Sequence, residues 1–310
     1  MARLLTGLQP SGALHIGNYF GALKPFIDLS REHESFLMVA DYHALTTLKS
    51  PDELRHHTLD VVRDYLAAGV DPARAVIFKQ SDILEHLELA WIFECLVTVP
   101  FLMQAHAYKD KTAKGLEANA GLFNYPMLMA ADILLYDTDI VPVGEDQRQH
   151  VEYAREAASK FNNTFGTLFK EPKEHILKGI ATVPGTDGKK MSKSYGNTIP
   201  FFGTRDEIAK AAMSIVTDST GERPENVYAI HALFREKNEL DSLYEANQGK
   251  YQALKEALIE DIEAVVAPLR EKRDAISDDD VMRVLEKGKR DAGKIASAKM
   301  AEVREAVGVR

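Results

Sequence analysis

The sequence predicts an α/β fold: a Rossmann-like parallel sheet wrapped in helices, followed by an all-α C-terminal part. Three observations predict it. Up to about residue 200, short apolar runs alternate with helical stretches, the pattern of βαβ units and a parallel sheet. After about Thr204 the strand signals fade and charged amphipathic helices take over. The chain has 310 residues, 45% apolar and 27% charged, more than one ordinary core holds. The expected division is 1–200 for the α/β part and 201–310 for the helical part.

In chain order, Arg3 to Leu8 reads as a strand that runs into a turn cluster, Gln9-Pro10-Ser11-Gly12. A helix follows from near Gly17 to Leu29, then an apolar run from Ser35 to Ala40. Ser50-Pro51-Asp52-Glu53 places Ser at the N-cap, Pro at N1 and Glu at N3, a capping box. That helix should last to Ala68 and stop at Gly69, with a third strand from Ala75 to Lys79. The stretch from Ile83 to Tyr136 is mostly helical by pattern. Asp139 to Val143 reads as a strand, with a long helix from about Asp146 to Phe161 and strand and loop from Lys170 to Lys190. Tyr251, Leu254, Leu258, Ile262, Val265 and Leu269 form an amphipathic stripe, the core face of a helical bundle. Ser277 and Asp280 open a last helix toward Val307.

Composition excludes several classes. A single cysteine, Cys95, excludes an internal disulfide and a cysteine-cluster metal site; it is expected to be a buried small side chain. Trp91, the one tryptophan, is expected in the core, and His56-His57 on the surface without a partner. No apolar run reaches the ~18 residues of a membrane span, and the first apolar stretch meets Gly, Pro and Ser too early for a signal peptide. A soluble, cytoplasmic chain is expected. The formal net charge of −9 argues against a general phosphate binder. Between Arg283 and Arg304, however, seven basic residues (Arg283, Lys287, Lys289, Arg290, Lys294, Lys299, Arg304) face three acids, a local net of +4. Such a stripe suits either a selective phosphate contact or a solvated helix face. Neither G-x-x-x-x-G-K-[ST] nor G-x-G-x-x-G occurs, which argues against a P-loop or dinucleotide enzyme.

Three segments carry chemistry. Thr6 to Asn18 joins the first strand to the first helix, where free N–H groups and the dipole suit an anion and glycines admit a base or phosphate. A turn around a core histidine is the plainer reading. Lys189-Lys190-Met191-Ser192-Lys193-Ser194, between Gly188 and Gly196, offers lysines and hydroxyls on a loop, either to grip phosphate oxygens or simply as an exposed basic loop. Val143-Gly144-Glu145-Asp146-Gln147 puts acids at a strand end and helix start, for a ribose or amino group or as dipole complements.

His15-Ile16-Gly17-Asn18 after the first strand, with Lys190-Met191-Ser192-Lys193-Ser194 near the end of the α/β part, resembles the two signatures of class I aminoacyl-tRNA synthetases. With Gln9-Pro10-Ser11-Gly12, the segment Tyr125-Pro126-Met127-Leu128-Met129-Ala130-Ala131-Asp132-Ile133-Leu134-Leu135-Tyr136 and Val141-Pro142-Val143-Gly144-Glu145-Asp146-Gln147, the likeness is to bacterial tryptophanyl-tRNA synthetases and covers essentially the whole chain. Two departures stand out: Tyr195-Gly196-Asn197 where many members carry Asp-Pro, and Leu5 where a bulkier residue is frequent.

The resemblance implies a class I catalytic domain, an anticodon-reading helical domain, a homodimer, and activation of L-tryptophan with ATP and Mg²⁺ before transfer to the terminal ribose of tRNA(Trp). It implies that Gln9, Pro10, Ser11, Gly17 and Asn18 line the ATP site, and that His15 meets phosphates or ribose. Gly144, Glu145 and Asp146 would hold adenosine, Val183 would touch adenine, and Lys190, Met191, Ser192, Lys193 and Ser194 would close over the phosphates. Asp132 would accept the indole N–H with Met129 packed on the ring, and Tyr125, Gln147 and His43 would take the amino and carboxylate groups. A site built on such a bond rejects a ligand lacking the donor by ~10⁴–10⁵. A tyrosine–tRNA ligase of the same fold and a silent synthetase-like tRNA or tryptophan binder remain alternatives.

Overall fold

The computed structural model describes residues 2–113, 115, 117–143, 148–176, 183–217 and 223–309. Five strands, β1 (Arg3–Leu8), β2 (Glu34–Val39), β3 (Ala75–Lys79), β4 (Ile140–Val143) and β5 (Lys173–Ile176), form one parallel sheet in the order β3-β2-β1-β4-β5. Leu5 lies opposite Phe36, Phe36 opposite Val76, and Leu4 opposite Ile140.

After β1 come α1 (Ile16–Asn18), a π-turn (Tyr19–Leu23) and α2 (Lys24–Leu29). Then follow α3 (Asp41–Ala44), α4 (Pro51–Ala67), α5 (Glu85–Glu94), α6 (Val99–Leu102), α7 (His106–Ala113), α8 (Ala120–Leu134) and α9 (Arg148–Phe165). The remainder is α10 (Arg205–Met213), α11 (Glu225–His231), α12 (Lys237–Ala246), α13 (Tyr251–Asp274) and α14 (Asp278–Val307). Ser50 Oγ accepts the Glu53 N–H at the start of α4, Pro51 occupies N1, and Gly69 leaves with φ +105°. Ser277 and Asp280 form a reciprocal capping box on α14, and Gly308 closes it in the left-handed region.

Side chains alternate across each strand, so the sheet is buried on both faces. Leu4, Leu37, Val39 and Ile77 pack into one core together with Ile208, Leu254, Leu258, Ile262 and Val266 of the later helices. Leu5, Phe36, Met38 and Phe78 pack into the other with α5, α8 and α9. Helix α14 joins the two: Val281 and Leu285 enter the first core, and Ala292, Ala296, Met300 and Val303 the second. It crosses so close to β3 that a Cβ on Gly288 would lie 1.7 Å from the Ile77 carbonyl oxygen. Arg273, at the end of α13, pairs with buried Asp64 of α4.

Four expectations need correction. Trp91 is 67% exposed and Cys95 is exposed too. Helix α5 is apolar on both sides; His86, Leu89, Ala90 and Phe93 take the inner face, which turns Leu84, Leu87, Trp91 and Cys95 outward. On α13 the buried row is Leu254-Leu258-Ile262-Val266, so Val265 is exposed while Val266 is fully buried. His56 does have a partner, Asp60 at 2.9 Å one turn on, and His57 is half-buried beside Gly12.

The basic stripe on α14 divides. Arg283, Lys287, Lys299 and Arg304 pair with Asp280, Asp291, Asp137 and Glu88. Lys289, Arg290 and Lys294 are exposed. Among the described residues no helix is long and apolar enough to cross a membrane.

Candidate active site

The strand order reverses direction between β1 and β4, and ligands of such sheets bind at the carboxyl edge beside that point. Gln9 to Asn18 leave β1 there, Asp41–Ala44 leave β2, and Gln80–Asp82 leave β3. Gly144, Glu145, Asp146 and Gln147, which follow β4, lie outside the described residues.

The H-I-G-N spacing has a local cause. His15 is the N-cap of α1: its Nδ1 accepts the Asn18 N–H at 3.2 Å, while Asn18 Oδ1 accepts the His15 N–H at 3.3 Å. Burial, and then the charge of Lys193, push the His15 pKa down to about 4, so the ring is neutral near pH 7. A neutral imidazole that accepts at Nδ1 carries its proton at Nε2. His15 thus offers a neutral N–H donor.

The second signature is tied to the first. The Ile16 N–H donates to Ile199 O and the Phe201 N–H to Leu14 O. The Gly17 N–H points at Met191 Sδ, 3.3 Å away, and a Cβ on Gly17 would sit 3.0 Å from His15 Nδ1 and 3.2 Å from Met191 Cβ. Met191 is buried, and its N–H donates to the carbonyl of buried Val183. Lys193 Nζ rests on Gly12 O at 2.8 Å and Ser11 O at 3.1 Å, with Ser11 Oγ at 3.4 Å. Burial of the ammonium lowers its pKa, against the opposing charge of Asp64. Ser192 and Ser194 hydroxyls share a 2.9 Å hydrogen bond, and Lys190, Ser194, Gln9 and Ser11 are exposed while Pro10 is buried.

Buried Asn197 holds this loop from beneath. Its amide donates to Asp187 Oδ1 and Lys190 O, and its Oδ1 accepts the Ser192 N–H at 2.8 Å. The amide leaves no room at Gly185, where a Cβ would lie 2.4 Å from it.

Asp132, on α8, is 2% exposed. His43 Nε2 approaches its Oδ2 at 2.9 Å, and Gln80 Nε2 and His86 Nδ1 approach its Oδ1 at 2.8 and 2.6 Å. Burial alone would raise its pKa; the hydrogen bonds from His43 and His86 overcome that and hold it at about 2. A carboxylate has about four acceptor directions, so roughly one stays open, on Oδ2. Half-buried Met129, one turn earlier, and half-buried Tyr125 line the same stretch. The Tyr125 hydroxyl lies 3.3 Å from His150 Nε2, its ring packs edge-on to His43, and burial with Tyr153 nearby raises its pKa to about 12. His43, expected at the amino or carboxylate group of a substrate, spends Nε2 on Asp132.

Sequence reasoning missed Gln80, His86 and Asn197, and quoted Tyr136 without a role. Tyr136 at i+4 from Asp132 was the one available signal. Among the described residues no cluster of three or more His, Cys, Asp or Glu could hold a metal ion.

Known proteins agree with this geometry. The family model described as tRNA synthetases class I (W and Y) matches residues 1–278. A tryptophan–tRNA ligase of Fusobacterium nucleatum is 47% identical over 100% of this chain and 98% of its own length. One from Rhodopirellula baltica is 44% identical, over 99% of this chain and 100% of its own. The crystal structure of Campylobacter jejuni tryptophanyl-tRNA synthetase with ADP and tryptophan superposes with a TM-score of 0.91 at 43% identity, covering 99% of both chains. The carboxyl-edge crevice, the paired signatures and these full-length likenesses converge: the chain belongs to the class I synthetase family of the W and Y type, in its bacterial tryptophanyl branch.

Proposed function

We propose that this chain activates L-tryptophan with ATP, releasing pyrophosphate, and then esterifies the terminal ribose of tRNA(Trp). The observation that carries this reading is Asp132: a buried, ionised carboxylate with one open acceptor direction, held by residues that follow β2 and β3 at the carboxyl edge of the sheet.

Carboxylate attack on the α-phosphorus needs no general base, because the nucleophile is already ionised. The protein must align the reactants and meet the charge that grows on the departing pyrophosphate. Lys193 and Lys190 are the cations for that task. Lys193 now satisfies its ammonium with carbonyls of the β1 turn, and moving to phosphate oxygens exchanges neutral acceptors for charged ones. His15 donates its Nε2–H to a phosphate or ribose oxygen without adding charge. Gln9, Pro10, Ser11, Gly17, Asn18, Val183 and Met191 form the walls of the nucleotide site, Ser192 and Ser194 add hydroxyl donors, and Gly144, Glu145 and Asp146 hold adenosine. Mg²⁺, brought by ATP, would offset negative charge on the phosphates. Asp132 takes the indole N–H, Met129 packs on the ring, and Tyr125, Gln147 and His43 serve the amino-acid end.

The helices from 201 to 310 read the tRNA, with the exposed Lys289, Arg290 and Lys294 as phosphate contacts. The working unit is a homodimer. Leu84 (67% exposed), Trp91 (67%) and Val99 (61%), with Leu87 and Met103, present apolar surface a soluble monomer rarely leaves open. Trp91→Glu should give a monomer in analytical ultracentrifugation where the wild type sediments as a dimer; an unchanged dimer would move the interface elsewhere.

Pyrophosphate exchange with each of the twenty amino acids tests the central reading. Exchange dependent on tryptophan alone is expected. Exchange with tyrosine instead would place the chain with the other branch of its family.

A further inference from the structure

The bonding around Asp132 includes groups without a role in tryptophan activation, His86 among them. His86 is fully buried on α5, behind Asp132 rather than at the surface. Its Nδ1 lies 2.6 Å from Asp132 Oδ1 and its Nε2 2.8 Å from the Tyr136 hydroxyl. Tyr136 is itself fully buried, two residues past the end of α8. Phe78 of β3 stacks against the imidazole at 6.2 Å between centroids.

The donor directions in this cluster follow from chemistry. An ionised carboxylate only accepts, so the protons lie on His86 Nδ1, His43 Nε2 and the Gln80 amide nitrogen. The Gln80 orientation is fixed independently, since its Oε1 faces the His43 N–H. With Nδ1–H given to Asp132, a neutral His86 accepts the Tyr136 hydroxyl at Nε2. Burial raises the Tyr136 pKa well above its ordinary value, so the hydroxyl keeps its proton and donates. The relay runs from the Tyr136 hydroxyl through the His86 ring to Asp132.

The consequence lies in which oxygen remains available. Gln80 and His86 fill both acceptor directions of Oδ1, whereas Oδ2 carries His43 alone. We infer that His86, locked by Tyr136, is a positioning residue for substrate specificity: it occupies Oδ1 so that the one open acceptor of Asp132 is on Oδ2. This rests on Asp132 being the indole reader. Without His86 the carboxylate would have a second open direction on Oδ1 and one fewer donor opposing burial. It could then turn, or take up a proton, and its demand for an indole N–H would weaken.

The test is the preference for L-tryptophan over its analogue with sulfur in place of the indole N–H, measured as the ratio of kcat/KM in pyrophosphate exchange. His86→Leu should shrink that ratio by about tenfold or more, the worth of one hydrogen bond to a charged group, with KM for ATP changed less than about twofold. His86→Asn, which keeps a donor near the Nδ1 position, should recover most of the ratio. Tyr136→Phe, which removes only the hydroxyl, should cost about threefold. An equal loss for tryptophan and the analogue in His86→Leu would make His86 merely structural and overturn the inference. If that variant does not fold, an unaltered ratio in both His86→Asn and Tyr136→Phe overturns it as well. Asp132→Asn separates the two levels. Survival of the preference there would remove Asp132 as the reader; its loss there but persistence in the His86 variants would remove only His86.

Discussion

Asp132 and Lys193 are two charged side chains near the carboxyl edge of the sheet, and their settings are opposite. Asp132 is sealed at 2% exposure, and three side-chain donors from α3, the turn after β3 and α5 converge on it. Lys193 sits on an exposed loop, and its ammonium rests on two main-chain carbonyls and a hydroxyl of the β1 turn. A buried charge with fixed partners cannot move without leaving a partner unpaired, which costs several kcal/mol. A lysine on an exposed loop can change partners at little cost. Discrimination between side chains that differ by one N–H needs the first arrangement. Stabilising charge that appears only as pyrophosphate departs needs the second, because an interaction made equally in the ground state does not accelerate the step.

This contrast can be broken at each end. Lys193→Ala should have a large effect at the phosphate end, lowering kcat for pyrophosphate exchange by about 10²–10³ with KM for tryptophan changed less than threefold, since it removes charge needed only in the transition state. A rise in KM for tryptophan with unchanged kcat would show that the two ends are not separable in this way. Asn197→Ala tests whether the loop depends on the hydrogen bonds beneath it. It deletes three bonds at a buried site and should cost about tenfold in kcat, again without affecting tryptophan KM. An unaffected kcat would mean that the loop's shape is set elsewhere.

The smallest effect concerns His15 and pH. Its folded pKa of about 4 lies below the ordinary value of 6.5. A depressed pKa contributes stability that is present above 6.5 and lost as pH falls toward 4, because the unfolded chain binds the proton first. His15→Asn, which keeps a capping side chain, should therefore make the decline in Tm between pH 6.5 and 4 shallower by about 2–4 °C. Parallel Tm–pH curves would show that folding does not depress the His15 pKa.

What the sequence revealed follows from locality. Arg3–Leu8 and Ala75–Lys79 came with their bounds intact, because apolar runs between turn residues are local signals. The Ser277 and Asp280 box and the H-I-G-N turn are likewise written within four residues. Asp132 stood out only through the resemblance carried by the segment Tyr125 to Tyr136; alone, a carboxylate in an apolar helix suits a cap or a salt bridge. Its donors could not be read, since His43, Gln80 and His86 come from 89, 52 and 46 residues away. Trp91 and Cys95 misled for another reason. Helix α5 is apolar on both sides, so hydrophobicity could not say which face meets the core. Gly288 carries no local signal, and only the crossing over β3 shows why a side chain cannot stand there.

The most direct test of the account is the ratio of kcat/KM for tryptophan over phenylalanine, measured by pyrophosphate exchange in the wild type and in Asp132→Ala. The two amino acids differ in ring size as well as in the N–H donor, and the alanine variant keeps the first difference while removing the response to the second. The account predicts that the ratio collapses by about 10³-fold or more in Asp132→Ala, leaving only the modest preference that ring size supplies. A ratio that stays within tenfold of the wild type, in a folded variant, would contradict it and place the recognition of tryptophan elsewhere in the crevice.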